Sequence, residues 1–305
     1  MKIFKKLALI CGLSMSLIAC NKDDIDLTDA DIIRGLGGDT WAQTNIDKWL
    51  YDSLVKPYNI GVKYKWDQFE FDISRTLIPP SEDKVIPVWS VLKDVWIKPY
   101  IAEAGKVFFN KYSPKSFILA GSNSYNDDGS IILGTAEGGR KIVFYGVNKF
   151  KVKGMTGYTP ATDSNFVKTY FIQTMHHEFA HILHQNVLYP QDFKRINPIL
   201  FQGQNWINMA TNQSRLDGFI TPYASSGFDD DFAEMVAIML IEGKVGFDNI
   251  VNGLTGTSAN GTTAANAKSY LRQKESIIVN YYKQVWDIDF YSLQNRCRTA
   301  LNQYL

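Results

Sequence analysis

The stretch FVKTYFIQTMHHEFAHILHQNVL, residues 166–188, decides how this chain is read. Phe171, Met175, Phe179 and Ile182 recur at helical spacing and make one apolar stripe, and no proline or glycine interrupts 165–189. The pattern predicts a helix over Phe166–Leu188 with Ser164 as its N-cap. All four histidines of the chain fall on it, at His176, His177, His181 and His184. His177 and His181 lie one helical turn apart, so their imidazoles can converge on one metal ion. Glu178 sits between them in sequence, in the position of a carboxylate that takes a proton from water beside such an ion. His177-Glu178-x-x-His181 thus predicts a single Zn2+ held by two histidines, with Glu178 as general base. His184 is two turns above His177 and reads as a packed polar residue or one supporting a ligand; His176 points off the ligand face.

A hydrolytic zinc site needs a third protein ligand and an open position. The segment Phe228-Asp229-Asp230-Asp231-Phe232-Ala233-Glu234 opens a predicted helix, Asp229–Glu242, that stops at Gly243. Acids in a first turn also serve capping and the helix dipole, which explains any one of the three aspartates but not Glu234. Asp230 and Glu234 stand at i, i+4, so one could ligate while the other orients a histidine.

Elsewhere the coarse reading is mixed. Helices are expected over Trp41–Val55, Ile86–Ala104, 264–285 and 289–303, with extended chain from Tyr58 to Phe71 and a loop over 252–265. Strands are expected at Ser116–Ala120, Ser130–Gly134 and Lys141–Val147, the last two joined by a turn at Gly138-Gly139. This predicts an α+β fold: a small mixed sheet and an active-site helix, then a mostly helical C-terminal part. Lys141–Val147 is the expected edge on which an extended peptide would pair.

At the N-terminus, Lys2, Lys5 and Lys6 precede an apolar run from Leu7 to Ala19 that is too short to span a bilayer. Leu17-Ile18-Ala19-Cys20 resembles a lipobox, which implies a signal peptide over 1–19 and lipidation of Cys20. Residues 20–38 read as a tether and 39–305 as one catalytic domain. Asn21-Lys22-Asp23-Asp24 resembles an export signal to the outer cell surface, so the expected location is the outer membrane, exposed outward. Cys297 is the one cysteine of the body and can form no internal disulfide once Cys11 is removed and Cys20 acylated. A net charge of +1 without a basic run argues against nucleic acid as a partner.

The lipobox, His177–His181 and the Asp231-Phe232-Ala233-Glu234 segment about fifty residues on together resemble the substrate import-associated zinc metallohydrolase lipoproteins, a gluzincin-like family encoded beside TonB-dependent importers. The resemblance covers the lipobox and about 110–245. It implies a zincin-like metallopeptidase acting on peptide or protein, anchored to the membrane by lipid, with an importer and its binding lipoprotein as partners. It implies Asp230 as third ligand, where the family usually has Glu, with Glu234 as the fallback or the residue behind a ligand. It also implies Tyr223 as a hydrogen-bond donor to a developing oxyanion. Two other readings stay open on the residues alone: a non-catalytic binding lipoprotein with a structural zinc, and a hydrolase of a non-peptide amide.

Overall fold

The computed structural model describes residues 42–305 apart from residue 73, 127–128, 130, 133 and 138–140. The expected signal peptide, Cys20, the tether and the Gly138-Gly139 turn lie outside the described residues. Thr44–Leu305 forms one compact unit.

Helix α1 (45–58) begins at Asn45 because Thr44 closes a capping box with Asp47: the Thr44 hydroxyl accepts from the Asp47 amide, and the Asp47 carboxylate accepts from the Thr44 amide. Tyr58–Phe71 holds one short strand, β1 (Gly61–Lys63), not an extended run. Helix α2 (82–112) outruns its predicted bounds at both ends and is broken once, at Gly105. Then come β2 (Ser116–Leu119), β3 (Ser124–Tyr125), β4 (Ile131–Ile132), β5 (Gly134–Glu137) and β6 (Lys141–Phe144).

The main sheet has the order β1-β2-β6-β5, with β1, β2 and β6 parallel and β5 antiparallel to β6; β3 and β4 pair separately. Phe117, Ile142 and Phe144 face the main core, while Ile118 and Val143 pack on the other side with Leu77 and Tyr145. Both faces are covered, so β2 and β6 are apolar beyond their first residues, Ser116 and Lys141, instead of alternating. β6 therefore lies inside the sheet and is not the expected edge. Its near-continuous apolar run marks an interior strand, and β5 takes the edge beside it.

Helix α3 (160–186) carries the histidines. It starts earlier than expected, because Pro160 occupies the first helical position and Thr159 the N-cap. Ser164 is not the cap; its hydroxyl meets Tyr158 Oη at 2.7 Å. A wide π-type turn, Lys168–Gln173, leads into Thr174–Asn186; Phe171 on the turn and Met175, Phe179 and Ile182 beyond it are buried as the stripe requires. After short α4 (Thr211–Leu216), α5 (Phe228–Asn252) packs along α3, and α6 (Ala264–Trp286) and α7 (Phe290–Leu301) pack on α5.

Gly243 interrupts α5 with φ 67°, ψ 178°, and a Cβ there would meet Arg298 Cγ at 2.9 Å. Helical geometry stops at Gly243 as expected, but the chain re-enters helix directly beyond it. Carbonyls just before the break are met from α7: Gln294 Nε2 donates to Met239 O at 2.7 Å and an Arg298 guanidinium N–H to Ile241 O at 2.8 Å. This fastens the distal half of α5 and leaves its first turn facing α3.

Candidate metal centre

Three ligand atoms converge where α3 meets the start of α5. His181 Nε2 is 3.0 Å from His177 Nε2. Asp230 Oδ1 is 3.4 Å from His181 Nε2 and 3.9 Å from His177 Nε2. Among the described residues this trio is the one group of three such side chains able to hold a metal ion. Zinc–ligand bonds of about 2.0–2.1 Å in a tetrahedron place ligand atoms about 3.3 Å apart. The spacings and the donor set of two imidazoles and one carboxylate fit zinc.

Each candidate ligand is also contacted from behind. Asp230 Oδ2 accepts from Ser226 Oγ at 2.6 Å, which leaves Oδ1 for the imidazoles. His177 Nδ1 lies 2.8 Å from Glu234 Oε1, and Glu234 Oε2 accepts from Thr221 Oγ1 at 2.6 Å and Gln173 Nε2 at 2.9 Å. Of the two acids, Asp230, the expected third ligand, faces the Nε2 atoms of both imidazoles, and Glu234, the expected fallback or supporting residue, stands behind His177. Asp is one methylene shorter than Glu, and the direct packing of α5 on α3 makes up the reach.

The electrostatics follow from burial working against partners. Burial raises the Glu234 carboxyl, but the hydrogen bonds of His177, Thr221 and Gln173 outweigh it and leave it below its ordinary value. Asp230 behaves likewise, with His181, Ser226 and the charge of His177 outweighing burial. Glu178 goes the other way: burial dominates and its carboxyl is pushed up against the pull of His177 and His181. A carboxylate with a raised pKa is a stronger base, which suits proton transfer near neutral pH.

Glu178 and Tyr223 line a cavity of about 340 Å³ beside the trio, walled also by Ile131, Ile132, Thr174 and Trp206. Tyr223 sits on a 3-10 turn, Tyr223–Ser225, with its ring 5.7 Å from that of His177 and 4.9 Å from Trp206. Burial and then the carboxylates of Asp230, Glu234 and Glu178 push its phenol up, so it keeps its proton and can donate. His176 is fully buried against Tyr100, without a hydrogen-bond partner among the described residues, and burial drives it down to about 3. It takes no part in the trio. His184 is buried 2.8 Å from His181 Nδ1, on the side away from the trio's Nε2 atoms.

Sequence reasoning passed over Thr221, Gln173, Trp206 and the β4 wall. Gln173 had a signal, since it stands at i−4 from His177 on the same helix face. Thr221 and Trp206 had none, because loop residues reach the site only through the tertiary fold.

An α+β scaffold with an HExxH helix facing an acidic helix defines a zinc-metallopeptidase architecture. Residues 39–291 match the model of the family described as "Putative zinc-binding metallo-peptidase", and the chain belongs to that family. It is also similar to the crystal structure of a "putative zinc-binding metallo-peptidase" from Bacteroides caccae: 29% identity, 86% of this chain and 95% of that chain covered, TM-score 0.67. No curated protein matches.

Proposed function

We propose that the chain is a zinc-dependent peptidase in which Glu178 is the general base. The observation that carries this is the convergence of His177, His181 and Asp230 beside a cavity on which Glu178 and Tyr223 both open. Zinc, when bound, supplies Lewis acidity and acidifies water to a pKa near 7. Glu178 takes the proton of the attacking water and returns it to the leaving amine. Tyr223 donates from its phenol to the oxygen on which charge develops. Glu234 holds His177 in the tautomer that keeps the Nε2 lone pair toward the ion. An extended substrate finds its backbone partner on β5, the edge of the main sheet.

The N-terminal residues support a wider proposal: attachment to the outer membrane through lipidated Cys20, facing outward, in association with a nutrient importer. Cys20→Ala should move the protein from the membrane to the soluble fraction; retention in the membrane overturns the anchor.

Glu178→Gln is the decisive variant for the chemistry. It should keep its zinc and lose about 10²–10⁴-fold in turnover of a peptide library. Near-wild-type turnover with zinc bound would falsify the role of Glu178.

A further inference from the structure

Helix α3 carries two imidazoles that the proposed reaction does not use, and one of them, His184, meets a ring of the trio. His184 Nε2 lies 2.8 Å from His181 Nδ1, while the other nitrogen of His181 faces Asp230 and His177. We propose that His184 is a positioning residue, a neutral hydrogen-bond acceptor that fixes the tautomer and ring plane of His181. The proposal rests on the zinc reading above and extends it to the second ligand.

The protons leave little freedom. To ligate, His181 Nε2 must carry a lone pair, so the single N–H of the neutral ring sits on Nδ1. That N–H points at His184 Nε2, which must therefore accept and bear its own proton on Nδ1. His184 cannot itself ligate the same ion through Nε2, because that nitrogen meets the far side of the His181 ring.

The acceptor is held still. His184 is 2% exposed and packs edge-on against Tyr189 and Phe232, whose rings stack at 4.3 Å and 5°. Tyr189 in turn donates to Asp229 Oδ1 at 2.6 Å. The two histidine ligands thus have unlike supports. Glu234 gives His177 an anionic acceptor, and His184 gives His181 a neutral one that adds no negative charge beside the metal.

Three chains test this: wild type, His184→Leu and His184→Gln. Zinc affinity is read by chelator competition, imidazole tautomers by nitrogen-15 NMR of the zinc-loaded protein, and apo-protein stability by denaturant melts. His184→Leu should weaken zinc binding by about 10- to 100-fold, as loss of a ligand's hydrogen-bond partner typically does. His184→Gln keeps a neutral acceptor and should recover most of that loss. Wild-type spectra should show both His181 and His184 protonated on Nδ1.

Unchanged zinc affinity in His184→Leu overturns the proposal. So does an equal loss in both variants that tracks a fall in apo stability, the signature of packing alone. Should His184→Leu fail to fold, the wild-type spectrum decides: a proton on His184 Nε2 overturns the proposal. Wild-type protein that takes up no zinc removes the zinc site and this proposal together, whereas zinc uptake indifferent to His184 removes the proposal alone.

Discussion

Asp230 and Asp231 are neighbours in the first turn of α5, and they face two different regions. Asp230 turns toward the imidazoles of His181 and His177, and His177 lines the cavity. Asp231 turns into the interior, 1% exposed, with Lys274 Nζ of α6 2.5 Å from its Oδ2. Lys274 is fully buried as well, donates to Gly218 O at 2.8 Å and lies 4.5 Å over the Phe219 ring. A step of about 100° per residue sends adjacent side chains to different sides of a helix. One aspartate stands beside other ligands on an open side; the other is a buried half of an ion pair. The open region should govern metal binding, and the closed one should govern the fold.

Removing one partner of the closed pair should have the largest effect. Lys274→Met leaves Asp231 as an uncompensated buried charge and should lower stability by about 3–5 kcal/mol. Burial already holds Asp231 up at about 6, with Lys274 pulling the other way, so loss of the lysine lifts it further above its unfolded value of 3.8. The penalty is therefore full above that raised value and lifts as pH falls through it, because a protonated carboxyl is no longer a buried charge. Denaturant melts across pH would check both statements. A deficit under ~1 kcal/mol at pH 8 would mean the pair contributes little.

Asp230→Asn reverses the profile. Zinc affinity should fall by at least the ~100-fold upper range for residues that only support a ligand. Apo-protein stability should change by no more than ~1 kcal/mol, as at a partly exposed position. Equal zinc affinity in wild type and Asp230→Asn would remove Asp230 from the site and return Glu234 to the question.

The pH dependence of zinc binding sharpens the open region. Burial lowers His177, but the hydrogen bond and charge of Glu234 outweigh it and leave it above 6.5. Below that raised value a proton must leave for zinc to bind, so apparent affinity should climb about tenfold per pH unit and level off above it. Asp230, held below its ordinary 3.8, is already ionised throughout this range. Competition titrations between pH 5.5 and 8 should find affinity still rising at 6.5. Glu234→Gln should move the bend to lower pH; a bend at the same pH in both would show that Glu234 does not set it.

What the sequence made legible follows the range of the interactions. The α3 stripe, the His177/His181 pairing and the two C-terminal helices rest on contacts within a few residues, and all appear in the fold. Asp230 and Glu234 were legible as a pair, but the residues alone did not divide their labour; only the family resemblance put Asp230 ahead of Glu234. That division depends on the rotation of α5 against α3 and on which side Thr221 and Gln173 approach. The pairing of Asp231 with Lys274 had no local signal, since nothing around Lys274 distinguishes it from a solvated lysine on α6. The placement of β6 failed for a related reason: an apolar run shows that a strand is buried, but strand order is decided by chain elsewhere.

Thr221 offers the smallest and most specific probe, because it joins the metal side to the turn that presents Tyr223. Its hydroxyl donates to Glu234 Oε2 at 2.6 Å and accepts from the Ala224 amide at 3.2 Å. Thr221→Val keeps shape and removes both bonds. Glu234 keeps Gln173 and His177 as partners, so zinc affinity should fall only a few-fold, in line with ~1 kcal/mol for one hydrogen bond in a shared network. The turn at Tyr223–Ser225 loses an anchor with no replacement from Glu234, so turnover should fall more than zinc affinity does. If the two fall together, Thr221 acts through Glu234 alone. A larger fall in kcat than in zinc binding places its role in holding Tyr223 over the reacting oxygen, which ties the loop before α5 to the chemistry at its first turn.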